Sequence, residues 1–324
     1  MRAVQILAPG EAVFVEVPKP TLQPGYALIR TRHLSLCGSD IHTFYHSPQE
    51  NYPLPPGASG HEMVGVVEAV NGAAGPLKVG DIALTLVRDN RAMAEYYLAP
   101  VEHVLPLPPG KPVEELLQAQ QLGTVIYAAR RLPNLVDKDV AVIGQGSAGL
   151  WWTFMVRRLG ARRVIALDLQ AHRLQLSPRY GATHTVHNGE VDPVEAVAAI
   201  TGGQMADVVV EAAGEIDSIN LAIDLVKRYG FILYFGVPRV GKRMPFDMMG
   251  LFRKCVQCQT IVGAMADPGQ SCTHMALELL ATGIADAAPM LTHRFPFDQV
   301  LDAYELQRTR DEGAVKIVID MPAP

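Results

Sequence analysis

Cysteine is scarce in this chain: four among 324 residues, Cys37, Cys255, Cys258 and Cys272. So few thiols make no disulfide framework, and in a reducing compartment each is a candidate for metal binding or plain burial. An excess of charge of one sign is also missing. The formal net charge is −5, from 28 basic and 33 acidic residues scattered along the sequence. No basic face is left to neutralise nucleic-acid phosphates or an anionic membrane, so neither is an expected partner. Long hydrophobic runs are lacking too. The longest uncharged apolar stretch, residues 140–156, is broken by Gly144, Gln145, Gly146, Ser147 and Gly149. It falls short of the ~20 residues that a membrane span requires. The opening Met1-Arg2-Ala3-Val4-Gln5 has neither the apolar core nor the small-residue cleavage site of a secretory leader. A cytoplasmic location is the expectation.

The length suits two domains. Up to about residue 110, short Val/Ile/Leu-rich runs alternate with Pro and Gly, as in Ala12-Val13-Phe14-Val15-Glu16-Val17-Pro18. That texture predicts an irregular β-rich domain. From about 134 the pattern becomes a regular alternation of strand and helix, which predicts an α/β unit with a doubly wound parallel sheet. Its six strands are expected at 140–143, 164–167, 184–186, 208–211, 231–235 and 260–263. A helix around 275–282, another opening at Phe295-Pro296-Phe297-Asp298 and a closing strand over 314–320 lie outside that unit. The expected division is therefore 1–133, 134–264, and 265–324 as a segment returning to the first domain.

Gly144-Gln145-Gly146-Ser147-Ala148-Gly149 fits the G-x-G-x-x-G pattern between an apolar strand and an apolar helix. In that context Gly144 permits the tight turn, Gly146 lets backbone approach a pyrophosphate, and Gly149 lets helix pack on strand. The helix N-terminus, with Ser147 and Ala148, would stabilise the phosphate charge. Asp168 ends the next strand, where a carboxylate meets the adenosine ribose hydroxyls. Its charge would repel a 2′-phosphate, so NAD is expected over NADP, although Arg173 with His172 follows closely and offsets part of that repulsion. Ala213 and Gly236 follow the fourth and fifth predicted strands, at the sheet edge where small residues admit a nicotinamide.

Cys37-Gly38-Ser39-Asp40-Ile41-His42 and the later Gly60-His61-Glu62 carry a thiolate and an imidazole that suit zinc. A catalytic zinc needs three protein ligands and one open position, and Cys37 and His61 supply two. With the glycine loop and the domain order, these residues resemble the zinc-dependent alcohol and polyol dehydrogenases of the medium-chain dehydrogenase/reductase family, over nearly the whole chain. The resemblance implies a GroES-like catalytic domain beside a Rossmann cofactor domain. It implies that Ser39 takes the substrate proton, that His42 passes it toward solvent, and that Asp40 holds His61 in the right tautomer. It also places Lys316 near the pyrophosphate and implies a homodimer or homotetramer.

Two departures from the family pattern stand out. Where the family usually has a Cys or Glu as third ligand, this chain has Gln120-Gln121. The family's sugar dehydrogenases pair a glutamine there with a glutamate beside the histidine, which implies Gln120, or Gln121 in another register, with Glu62 as an intermittent ligand. The neutral amide should bind zinc more weakly than a thiolate or carboxylate. The lobe of four close cysteines that holds a structural zinc in related enzymes is absent, so one zinc is expected. The implied reaction moves a hydride between a secondary alcohol, polyol or sugar and NAD. A zinc-free NADPH-dependent alkene or quinone reductase on the same scaffold, and a catalytically silent dinucleotide-binding module, are the competing readings. Cys255 and Cys258 lack a companion pair and are expected to be buried near a domain edge. Phe44, Tyr45 and Trp152 are expected near the substrate.

Overall fold

The computed structural model of the protein describes residues 1–72, 75, 77–238, 243–261, 263 and 266–322. In chain order the elements are β1 (Arg2–Ala8), β2 (Glu11–Glu16), β3 (Tyr26–Ser35), α1 (Gly38–His46), β4 (Glu62–Asn71), β5 (Ile82–Leu86), β6 (Tyr96–Pro100), β7 (Val104–Pro106), α2 (Val113–Leu117) and α3 (Ala119–Ala129). Then follow β8 (Asp139–Ile143), α4 (Ser147–Arg158), β9 (Arg163–Asp168), α5 (Ala171–Leu176), β10 (His184–His187), α6 (Pro193–Thr201), β11 (Ala206–Glu211), α7 (Ile216–Leu225), β12 (Val226–Tyr234), α8 (Met248–Lys254) and β13 (Gln257–Thr260). The chain closes with α9 (Ser271–Ala281), β14 (Leu291–Pro296), α10 (Val300–Thr309) and β15 (Lys316–Asp320). Among the described residues no helix is long and apolar enough to cross a membrane.

Two compact units emerge, Met1–Gln121 with Pro268–Pro324, and Leu122–Asp267. The first boundary falls inside α3, not at 133/134. From Leu122 onward the helix carries a buried stripe of Leu122, Val125, Ile126 and Ala129, at the i, i+3, i+4, i+7 spacing that binds one helix face to one core. The second boundary lies at 267/268; residues 264 and 265, where the sequence suggested it, are outside the described set.

In the first unit, β1 and β2 form a hairpin and seven further strands form one sheet of order β14-β15-β3-β4-β5-β7, with β6 pairing β3. All its pairs are antiparallel except β14 with β15. The last segment thus completes the first unit's sheet: Val318, Ile319 and Asp320 pair with Ser35, Leu34 and His33. Leu36 and Cys37 follow directly, so the pairing that places β15 also places the start of α1.

The second unit is a six-stranded sheet of order β10-β9-β8-β11-β12-β13, every pair parallel. This is the 3-2-1-4-5-6 order of the doubly wound dinucleotide fold, whose strand order reverses beside its first strand. Val140, Ala141, Val142 and Ile143 of that strand, β8, are buried, as a parallel strand covered on both faces must be. Trp151 and Trp152 of α4 are fully buried. Trp152 packs edge-on against Phe235, with ring centroids 5.3 Å apart. Such an aromatic pair adds ~0.5–1.5 kcal/mol beyond its area burial. Trp152 is therefore a core residue of this unit and not a substrate contact.

The edge strand differs from expectation. β13 covers Gln257–Thr260, with Phe231 through Tyr234 paired to it, not 260–263, and Val262 lies outside the described residues. The apolar Ile261-Val262 run suggested the strand, but an edge strand pairs on one side only and here carries polar Gln257, Gln259 and Thr260. Cys255 and Cys258 are exposed, not buried. Cys255 caps α8 with φ +53°, and Cys258 lies on the open edge.

Candidate functional site

The glycine loop joins β8 to α4 at the carboxyl edge of the sheet, beside the point where strand order reverses. Gly144 has φ +88°, a region that side chains rarely enter. A Cβ on Gly149 would lie 1.7 Å from the Gly144 carbonyl oxygen, so helix and strand approach as closely as they do only because no side chain intervenes. Gly146 caps α4, Ser147 and Ala148 open it, and Arg157 and Arg158 in its last turn complement the helix dipole.

Asp168 is buried at the end of β9. Its Oδ2 accepts from the Gln145 amide at 2.5 Å and its Oδ1 from the Gln170 amide at 2.8 Å. The carboxylate is thus tied to the glycine loop, with lone pairs left for ribose hydroxyls. Arg173 is buried on α5, its Nη1 3.7 Å from where a Gly146 Cβ would stand.

Gln145, which sequence reasoning passed over as an unspecified position of the motif, fixes the loop from within. Its buried Oε1 accepts from Thr153 at 2.9 Å and Ser177 at 3.0 Å, and its Nε2 donates to Val142 and Gly144 carbonyls. Glu211 is a second residue whose role the pattern did not reveal. Its Oε1 accepts from the amides of Ala213 and Gly214, each at 2.8 Å, and from the Ser218 hydroxyl. The Gly236 amide donates to the Glu211 carbonyl, so Ala213 and Gly236 meet around this one residue. Burial pushes the Glu211 carboxyl up despite these hydrogen bonds.

In the first unit, Cys37 caps α1 and its amide donates to Asp40 Oδ2 at 2.8 Å. Asp40 Oδ1 accepts from the Gly60 amide at 2.9 Å and lies 3.5 Å from His61 Nδ1. Donor atoms of Cys37, His61 and Glu62 lie within 4.8 Å of one another. Burial and Glu62 push the Cys37 thiol up, but hydrogen bonding and charge from His61, with the charge of Lys316, leave it below its ordinary value. Burial disfavours the imidazolium of His61, yet Asp40 and Cys37 hold its pKa well above the usual value. For Asp40, burial is outweighed by His61 and the two backbone donors, so its carboxyl sits low. Asp40, His61 and Cys37 thus favour one another's charged forms, and the thiolate is the form in which cysteine binds zinc.

Of the two glutamines, Gln121 hydrogen-bonds to Cys37. Its buried side-chain Nε2 donates to Cys37 Sγ at 3.8 Å, and its Oε1, the atom that could ligate zinc, belongs to the same planar amide. Gln121 Oε1 and Glu62 Oε1 are both buried without a hydrogen-bond partner among the described residues. Buried oxygens are costly when unpaired, and a cation held by Cys37 and His61 would offer them a partner. The residues present fit zinc.

Lys316 is not a surface cation available to a pyrophosphate. Its side chain is fully buried and Nζ stands 2.5 Å from Glu62 Oε2, which also accepts from Ser35. A lysine is tolerated at such depth only when paired, and Glu62 is its pair. Ser39 and His42 sit partly exposed on α1, three residues apart and so on one face. Phe44 is buried against Tyr304, their rings stacked at 4.5 Å.

The description "Alcohol dehydrogenase GroES-like domain" matches residues 23–109, and "Zinc-binding dehydrogenase" matches residues 148–282, together about two-thirds of the chain. The chain is 29% identical to the L-threonine 3-dehydrogenase of Symbiobacterium thermophilum, over 100% of this chain and 99% of that protein. It is 27% identical to sorbitol dehydrogenase 1 of Saccharomyces cerevisiae, over 99% of this chain and 98% of that one. Its fold superposes on alcohol dehydrogenase TADH from Thermus sp. ATN1 with a TM-score of 0.86 and 26% identity, covering 99% and 100% of the two chains. With both halves matched in this order and relatives aligned end to end, the chain belongs to the zinc-dependent alcohol and polyol dehydrogenases of the medium-chain dehydrogenase/reductase family.

Proposed function

We propose that the chain oxidises a secondary alcohol or polyol with NAD at a single zinc held by Cys37, His61 and Gln121, with Glu62 as an intermittent fourth protein ligand. The observation that carries this is the orphaned Gln121 Oε1, on a side chain that reaches Cys37 Sγ. Bound zinc and NAD supply Lewis acidity toward the hydroxyl and an acceptor for the hydride. Cys37 and His61 hold the metal, and Asp40 keeps His61 oriented. Gln121 adds a neutral oxygen, which leaves the centre more positive than a Cys or Glu would and favours release of the hydroxyl proton. Ser39 accepts that proton and His42 delivers it to water along the exposed face of α1. Lys316 offsets the charge of Glu62 and restrains its approach to the metal.

Asp168 favours NAD over NADP, since its carboxylate would lie against a 2′-phosphate. A cytoplasmic homodimer or homotetramer is the form we propose for the working enzyme. The test is NAD reduction with a panel of secondary alcohols and polyols, before and after chelation and zinc return. Turnover lost on chelation and restored by zinc is expected. Turnover indifferent to zinc, or an alkene reduced with NADPH, would overturn the proposal.

A further inference from the structure

Behind Asp40 runs a buried hydrogen-bond chain that the metal site alone does not require. The Tyr304 hydroxyl on α10 donates to Ser59 Oγ at 2.7 Å, and Ser59 Oγ donates to Asp40 Oδ1 at 3.1 Å. A carboxylate only accepts and a serine has one proton to give, so the order Tyr304 to Ser59 to Asp40 is fixed. All three residues are buried, Tyr304 and Ser59 completely. We infer that Ser59 and Tyr304 are positioning residues for the metal centre, fixing Asp40 and, through it, the His61 imidazole. This rests on the metal-centre reading above.

Two features argue that the hydroxyls are used and not merely accommodated. Ser59 has φ +78°, a conformation that glycine adopts freely and serine does not, yet a glycine there would carry no hydroxyl. Tyr304 stacks on Phe44 at an interplanar angle of 28°, a contact that phenylalanine would make as well. A fully buried phenol hydroxyl needs a partner, and its partner is Ser59. Phe44 lies one helical turn after Asp40 on α1, so the ring stack adds stability beside the site, while the positioning runs through the Tyr304 hydroxyl to the loop that carries His61. With Oδ1 held by Ser59 and the Gly60 amide, Asp40 has one orientation to offer His61 Nδ1, which leaves Nε2 for the metal.

The test loads the full-length protein with cobalt(II) in place of zinc. Its dissociation constant is measured by competition with a chromophoric chelator, and its visible absorption bands are recorded. Parent, Tyr304→Phe, Ser59→Gly and the double variant are compared, with Phe44→Leu as a control that disturbs the ring contact and keeps the hydroxyls. Each single change is expected to weaken cobalt binding about tenfold and to alter the bands. The double variant should lose no more than about twofold beyond either single, since one chain carries both effects. Phe44→Leu should lower the melting temperature and leave cobalt affinity unchanged. Parent affinity and bands in both single variants would overturn the positioning role while leaving the metal centre intact. Losses that add in the double variant and follow the melting temperatures would overturn it too. A parent that binds no cobalt would remove the centre and the role together.

Discussion

The cofactor loop of the second unit and the metal site of the first are built by different means. The glycine loop is made of backbone: Gly144 turns, Gly149 admits the helix, and Asp168 hydrogen-bonds to neighbouring amides. Its parts lie within 25 residues, 144–168. The candidate metal site is made of side chains, from Cys37, His61, Glu62, Gln121 and Lys316, brought together from separate strands and helices of the first unit. A backbone site is tolerant of neighbours and written locally; a side-chain site depends on register and on distant strands.

The sharpest way to break this contrast is Cys37→Ser. Removing the thiolate is expected to release the metal and lower turnover at least a hundredfold, because Lewis acidity supplies several kcal/mol of the rate. Affinity for NAD, measured by fluorescence titration, should not change. An equal loss of NAD binding would show that the two sites are not separable. Gly149→Ala is the mirror experiment. Its Cβ falls 1.7 Å from a carbonyl oxygen, so α4 must move, at a cost of ~3 kcal/mol or more. Thermal melts should fall by roughly 6–12 °C.

Gln121→Ala and Gln120→Ala sharpen the comparison on the metal side. The first is expected to weaken zinc binding by about 10–100-fold and the second by less than about threefold, read by chelator competition. On the cofactor side, Asp168→Ser should raise the KM for NAD by roughly tenfold or more, the worth of a charged hydrogen bond, and narrow the preference against NADP.

The smallest expected effect is a change of slope. The raised Glu211 pKa means that the folded state binds this proton more tightly than the unfolded chain. Its contribution is full below the unfolded carboxyl pKa and is lost as pH rises through the folded value. Glu211→Gln should flatten the decline in melting temperature from acid toward neutral pH, with little change at the acid end.

What could be read from the sequence follows the same division. The alternation after residue 134 carried the doubly wound sheet, and the glycine loop and Asp168 sit where the pattern placed them, since both signals are local. The edge strand was misplaced because its polar residues hide the pairing that hydrogen bonds reveal. In the candidate metal site, Cys37 and His61 were visible as residue types, but which of Gln120 and Gln121 reaches Cys37 depends on helix phase, which no capping signal set. Lys316 could not be assigned from its position, as its partner Glu62 lies 254 residues earlier and meets it only when β15 joins β3. Ser59 and Tyr304, 245 residues apart, have no sequence signal at all.

Cys37, His61 and Gln121 are proposed to form one zinc centre. The most direct test is zinc per chain by elemental analysis, after dialysis at a fixed free zinc concentration, for the parent and Cys37→Ser. One zinc in the parent and none in the variant is the expected result. A parent without zinc, or a variant that keeps it, would contradict the account.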